Sequence, residues 1–130
     1  MIYNDVAAAD CGICLEQALA ARVYDNSVFH TGAAMGNAIE YRFANSMVDV
    51  RGNMANELVL RDSTRPTVDH NQTPVSAAMF RAPTVGDLHL SGTGGAPQFG
   101  IPIDGVAADF DGQERSATRP MIGADELPPR

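Results

Sequence analysis

The sequence predicts an all-β chain folded as a short parallel β-helix, and three observations carry that expectation. The pattern Val-x-x-Asn occurs three times, at Val23 with Asn26, Val50 with Asn53 and Val68 with Asn71. An alternating apolar pair precedes each one: Ile13 and Leu15, Ile39 and Tyr41, Leu58 and Leu60. From the first apolar residue to the Asn the steps are 13, 14 and 13 residues, whereas the Asn-to-Asn steps are 27 and then 18. Units that bury an apolar face only against a neighbour define a solenoid. Unequal steps disfavour helical repeats but suit stacked strands, because extra residues loop out of one turn while the strands keep register. About four or five coils of ~20 to 27 residues are expected.

The elements follow in order. Gly12-Ile13-Cys14-Leu15, Ala38-Ile39-Glu40-Tyr41 and Leu58-Val59-Leu60 alternate with the period of half-buried strands. Asp25-Asn26-Ser27, Thr31-Gly32, Arg51-Gly52-Asn53 and Asp69-His70-Asn71 are turn-formers between them. Residues 15–23, with Gln17-Ala18-Leu19-Ala20-Ala21, have enough helix propensity to compete. The equivalent stretches of the later units, with Phe43, Val48, Pro66 and Thr67, do not, so strand is expected throughout. Seven of the eight prolines and eight of the twelve glycines fall in residues 74–130, which marks a change to loop-rich structure. Short strands are expected there over 77–80, 88–90, 101–103 and 121–124, with a loop over 91–97 and a frayed tail from 126. The chain therefore reads as one domain, with coils in 1–73 and a C-terminal coil and capping segment in 74–130.

Composition excludes several function classes. The net charge is −7 and every one of the nine cations is Arg. That balance opposes phosphate-backbone binding, so no nucleic-acid partner is expected. No apolar run approaches the ~18 to 20 residues of a membrane-spanning helix, so no membrane insertion is expected. Met1-Ile2-Tyr3-Asn4-Asp5 lacks the basic start of a secretory signal, and no signal peptide is expected in this chain.

Cys11-Gly12-Ile13-Cys14 is a CxxC that admits packing thiols, a redox pair or, with further ligands, a metal. Asp109-Phe110-Asp111-Gly112 resembles the opening of a calcium loop, with Asp109 and Asp111 as the candidate ligands and an Asx-held turn as the plainer account. His30, His70 and His89 lack metal-ligand spacing and read as structural or exposed. Arg22, Arg42 and Arg51, with Glu40 and Asp49, are the candidate ligand face on the outside of stacked strands. Solvated charge is its ordinary explanation. No residue is singled out as catalytic, and no cofactor is expected beyond the candidate calcium.

Four segments in order resemble a known family. These are Phe80-Arg81-Ala82-Pro83-Thr84-Val85-Gly86-Asp87-Leu88-His89-Leu90, the Ala96-Pro97 loop, Asp109-Phe110-Asp111-Gly112-Gln113-Glu114-Arg115, and Ile122-Gly123-Ala124-Asp125-Glu126. Together with the coil-like units they resemble the C-terminal end of bacterial right-handed parallel β-helix proteins of the pectate-lyase-like superfamily, across about residues 12–127. Two features depart from that pattern: Pro120-Met121 stands where an Asp is usual, and Ala96 replaces a usual Ser. The resemblance implies a right-handed β-helix, a structural Asn ladder of Asn26, Asn53 and Asn71, and an extracellular or cell-surface setting. It implies a non-catalytic structural or carbohydrate-contacting module, derived by truncation from a larger secreted protein. A minimal polysaccharide lyase or glycoside hydrolase, and a thiol-redox or metal-handling protein using Cys11 and Cys14, are the alternatives. An open N-terminal coil would expose strand edges, so a homo-oligomer through that end is expected.

Overall fold

The computed structural model describes residues 1–6, 9–32, 35–62, 66–92 and 98–127, and over these the chain is mostly β. The first half runs in three rounds. The first holds β1 (Ile2–Asn4), β2 (Ala9–Glu16) and β3 (Ala21–Tyr24). The second holds β4 (Ser27–His30), β5 (Met35–Arg42) and β6 (Val48–Arg51), and the third β7 (Met54–Ala55), β8 (Leu58–Leu60) and β9 (Thr67–Asp69). Each strand pairs in parallel with the strand three places on, giving the short sheets β1–β4–β7, β2–β5–β8 and β3–β6–β9. A parallel bridge between Met54 and Gln72 continues the first sheet. The helix that propensity allows over 15–23 does not form: β2 continues to Glu16 and β3 begins at Ala21.

Alternation sets the interior. Val23, Val28, Ile39, Tyr41, Val48, Val50 and Ala55 form one buried cluster, with Ile13, Leu15, Leu58 and Val68 packed against it. Register stacks like on like: Val23 opposes Val50 and Val50 opposes Val68, while Ile13 opposes Ile39 and Ile39 opposes Leu58. The corners repeat as well. Asp25, Gly52 and His70, each just before an Asn of the repeat, have φ of 49°, 71° and 49°. Gln17, Phe43 and Asp62, just past β2, β5 and β8, have φ of 50°, 73° and 52°. A single left-handed residue re-aims the chain within one step, which is why strands so short can face different directions.

The C-terminal segment lies along a side of this stack. Phe29 and Met54, on the outer face of β1–β4–β7, form a second buried cluster with Val75, Phe80, Leu88, Leu90 and Ile122, and Tyr3 packs against it. Both faces of that sheet are therefore covered, and all four residues of β4 are buried. The segment expected to cap the chain packs on this outer face, because its apolar side chains need burial.

Within the segment, β10 (Phe80–Ala82) and β11 (Asp87–Leu90) form an antiparallel pair. The strand expected over 77–80 gives way to a 3-10 turn, Ala77–Met79, that delivers Phe80 to a ring contact with Phe29 at 5.6 Å. Of the strands expected over 101–103 and 121–124, the structure forms only an antiparallel bridge of Phe99 with Met121. Gly123 N donates to Gly52 O (2.7 Å) and Ala124 N to Ser27 Oγ (3.0 Å). At Gly123, φ is +100° and a Cβ would lie 2.7 Å from Met54 Sδ, so only glycine permits this approach. Most of the loop expected over 91–97, and the end of the tail, lie outside the described residues.

Candidate functional site

The outer face of β3–β6–β9 carries an ordered polar array. Strand alternation that turns Val23, Val50 and Val68 inward turns the residues beside them outward. Register then aligns Arg22 with Asp49 and Thr67, and Tyr24 with Arg51 and Asp69. Arg51 grips Asp49 with both arms, Nε to Oδ1 at 2.6 Å and Nη2 to Oδ2 at 2.5 Å. Tyr24 Oη donates to Asp49 Oδ2 and accepts from Arg51 Nη2 at 3.2 Å, with the guanidinium 5.2 Å from the Tyr24 ring centroid. The Arg51 contact holds the Asp49 carboxyl below the usual range against partial burial, and the Tyr24 hydroxyl adds to it. Asp49 in turn raises Arg51. The triad is thus a fixed, charge-balanced platform, about a quarter exposed at both Asp49 and Arg51 (26% and 28%).

The remaining members of the expected ligand face lie elsewhere. Glu40 and Arg42 stand on β5, in the neighbouring sheet, beside Cys14 and Glu16 of β2. Glu40 is nearly inaccessible and flanked by Arg42 at 3.7 Å and Arg61 at 3.5 Å, and Arg42 also reaches Glu16 at 3.5 Å. Glu40 is thus enclosed by ion pairs, while Arg42, Glu16 and Arg61 around it stay a third to a half exposed.

The three repeat asparagines meet directly. Asn26 Nδ2 donates to Asn53 Oδ1 (3.0 Å), and Asn53 Nδ2 to Asn71 Oδ1 (2.9 Å). The same oxygens accept from the backbone N of Asn26 and Asn53, and Asn53 Nδ2 also reaches Val23 O at 2.9 Å. Every polar atom of the fully buried Asn53 side chain has a partner, a structural duty.

Cys11 and Cys14 form a disulfide with Cα atoms 5.7 Å apart. In a straight strand, residues three apart point to opposite faces. Here Gly12 points inward, its Cβ position 2.7 Å from Val28 Cγ1, and Ile13 also packs into the core. Two successive inward residues shift the alternation, so both cysteines face outward around the bend. One round later Asn37 and Glu40, which flank Ala38 and Ile39, hydrogen-bond across the same bend.

Asp109 and Asp111, expected together as cation ligands, face different partners. Asp109 Oδ1 accepts from the backbone N of Asp111 (3.0 Å) and Gln113 (2.7 Å), and Oδ2 from Glu126 N (3.0 Å). That carboxylate is occupied by N–H donors, as in an Asx-held turn. Asp111 Oδ2 instead lies 2.9 Å from His89 Nε2, and His89 Nδ1 lies 2.5 Å from Asp87. His30 contacts Gly32 O and Glu57, and His70 contacts Asp69.

A cleft of about 300 Å³ opens where the C-terminal segment meets the β3–β4 corner, lined by Asp25, Ile103, Asp104, Glu114, Arg115 and Pro120. Burial pushes the Asp25 carboxyl up to about 6, with Arg115 opposing and Glu126 adding to the shift. Arg115 is itself buried. It donates to Ala108 O (3.3 Å), Met121 O (3.1 Å), Gly123 O (2.6 Å) and Glu126 Oε1 (3.1 Å), and stands 4.0 Å from Asp25.

No protein-family model, curated protein or solved structure matches this chain. The site rests on its geometry. Tyr24 escaped the sequence reading although it is the repeat equivalent of Arg51, one place after the Val of Val-x-x-Asn. That equivalence was the available signal. Asp25 and Arg115 carried none, since 90 residues separate them.

Proposed function

We propose that the chain is a short right-handed parallel β-helix module, similar to the C-terminal part of pectate-lyase-like proteins, that contacts carbohydrate without cleaving it. The observation that carries this reading is the platform of Tyr24, Asp49 and Arg51 between Arg22 and Asp69 on one sheet face. Planar carboxylate and guanidinium groups match the paired hydroxyls of a sugar, and a tyrosine ring offers a surface for its C–H face. Because each group is already held by the others, little side-chain entropy is lost on binding. The cyclic pairing of strands three apart and the Asn26–Asn53–Asn71 contacts support the β-helix reading. The Cys11–Cys14 disulfide supports an oxidising, extracellular setting. The edges of β2 and β3, which pair with a strand on one side only among the described residues, support self-association through that end.

The test is calorimetric titration with three hexasaccharides: a β-1,4-glucan, a β-1,4-xylan and an oligogalacturonate. Binding of at least one is expected, weakened at least tenfold by Tyr24→Ala or Arg51→Ala. Failure of all three, or variants that bind equally well, would sink the reading.

One observation favours a second reading, a minimal lyase or hydrolase. Asp25, with its carboxyl pushed to about 6, shares the cleft with Asp104, Glu114 and Arg115. Release of reducing ends from the same oligosaccharides, lost in Asp25→Asn, would replace the first reading with this one. The involvement of the Arg115 donors with three backbone carbonyls and Glu126 argues for a structural duty instead.

A further inference from the structure

Three segments distant in sequence converge through residues that neither form the platform nor line the cleft. Strand β11 supplies Asp87 and His89, the turn after Asp109 supplies Asp111, and the segment after Gly123 supplies Asp125. One ligand atom from each of His89, Asp111 and Asp125 lies within 4.8 Å of the other two. Asp87 Oδ1 accepts from the His89 backbone N (3.1 Å) and lies 2.5 Å from its Nδ1. This assigns the Nδ1 proton to the Asp87 contact and leaves Nε2 2.9 Å from Asp111 Oδ2. In the neutral ring Nε2 then carries a lone pair and faces a carboxylate lone pair. Something positive must lie between them, either a second ring proton or a cation.

Asp125 decides between the two. It is 1% exposed, and its Oδ2 accepts from Leu90 N at 2.7 Å. Its Oδ1 is buried without a hydrogen-bond partner. A proton on Nε2 is a single donor and, in the observed geometry, leaves that buried oxygen bare. A cation among the three groups satisfies all of them. Metal bonds of about 2.0 to 2.2 Å put neighbouring ligand atoms about 3 Å apart, which the 2.9 Å between His89 and Asp111 already approaches.

We propose that His89, Asp111 and Asp125 bind one divalent transition-metal ion of the zinc, manganese or cobalt class, with Asp87 as the positioning residue that orients the histidine ring. One imidazole nitrogen with carboxylate oxygens fits that class, whereas calcium takes six to eight oxygens. The carboxylate–histidine–metal relay is the usual way such a ring is fixed. The charge around the ion is negative: Asp87, Asp111, Asp125 and nearby Asp109 outweigh Arg81. Phe110 meets the His89 ring edge-on at 6.2 Å and shields one side. Bound there, the ion cross-links β11, the 109–113 turn and the 122–126 segment, and so fastens the lateral cover to itself.

The whole chain, stripped with a chelator, is titrated by calorimetry with zinc chloride and separately with manganese chloride. One ion per chain is expected. Asp125→Asn should weaken binding at least tenfold, and Asp87→Asn should weaken it less. Nitrogen-resolved NMR of the unmutated protein keeps the test valid should a variant fail to fold: saturating zinc must remove the Nε2 proton of His89. An Nε2 that stays protonated, uptake unchanged in Asp125→Asn, or no uptake would overturn the proposal.

Discussion

Asp25 is the residue where the geometry makes the sharpest demand. Its φ of 49° turns the chain between β3 and β4, and its side chain packs so near Gly52 that a Cβ there would lie 1.9 Å from Asp25 Oδ1. Burial raises its carboxyl from 3.8 in the open chain to about 6. With the folded value above the unfolded one, its favourable contribution is complete below about 3.8 and is lost as pH rises through about 6. Above that, the ionised form destabilises the fold by roughly 3 kcal/mol. Asp25→Asn, whose side chain tolerates the left-handed corner, should therefore flatten stability against pH between about 4 and 7. Urea unfolding at pH 4 and pH 8 measures it: the variant should gain on the unmutated chain at pH 8 and match it at pH 4. Glu126, also raised by burial, titrates in the same direction, so a shallow slope remains. An equal slope in both proteins would show that the Arg115 contact, not burial, governs Asp25.

At the scale of elements, the short strands were legible where one face is wet and obscure where neither is. The pair Ile13/Leu15 alternates with exposed Cys14 and Glu16, and Ile39/Tyr41 with a Glu40 that ion pairs cover, whereas Leu60 of the third pair is 55% exposed. Strand β4, Ser27–His30, is buried throughout and left no alternation to read. The corners were half legible. Gly52 signals a left-handed step, but Asp25, His70, Gln17, Phe43 and Asp62 take the same step without glycine, enforced by the stacked rounds. The lateral cover was legible only as motifs, since its segments hold their shape through long-range contacts. Arg115 ties that cover together by donating to three carbonyls and one carboxylate. Lysine keeps the charge but has no planar fork, so Arg115→Lys leaves at least two acceptors bare. A loss of roughly 3 kcal/mol is expected. Hydrogen exchange should accelerate at least tenfold across 108–126 and stay unchanged in β5 and β6. Uniform acceleration over both regions would mean that cover and stack unfold as one unit.

In the whole molecule the C-terminal segment covers one parallel sheet, β1–β4–β7, and among the described residues β2 and β3 stand at the edges of the other two. Among the described residues, strands β2 and β3 each pair with another strand on one side only, and eight-residue β2 is the longer of these edges. The apolar residues of the first round, Ile2, Ile13, Leu15 and Ala21, are only partly buried, and Leu19 beside them is 66% exposed. A row of unpaired backbone groups over a half-buried apolar layer is satisfied by another such layer, which a second copy of this chain supplies. The net charge of −7 opposes that contact. Salt screens like charges on both copies while leaving apolar burial intact, so association should strengthen as ionic strength rises. Light scattering during size exclusion should give twice 13.8 kDa, with more dimer at 0.5 M salt than at 0.05 M. Leu19→Asp adds charge at the edge without entering the core, and should shift the chain toward monomer at least tenfold. A monomer at all salt concentrations up to about 0.1 mM protein would mean that the first layer is self-sufficient. Dimerisation indifferent to Leu19→Asp and to salt would place the contact on another face.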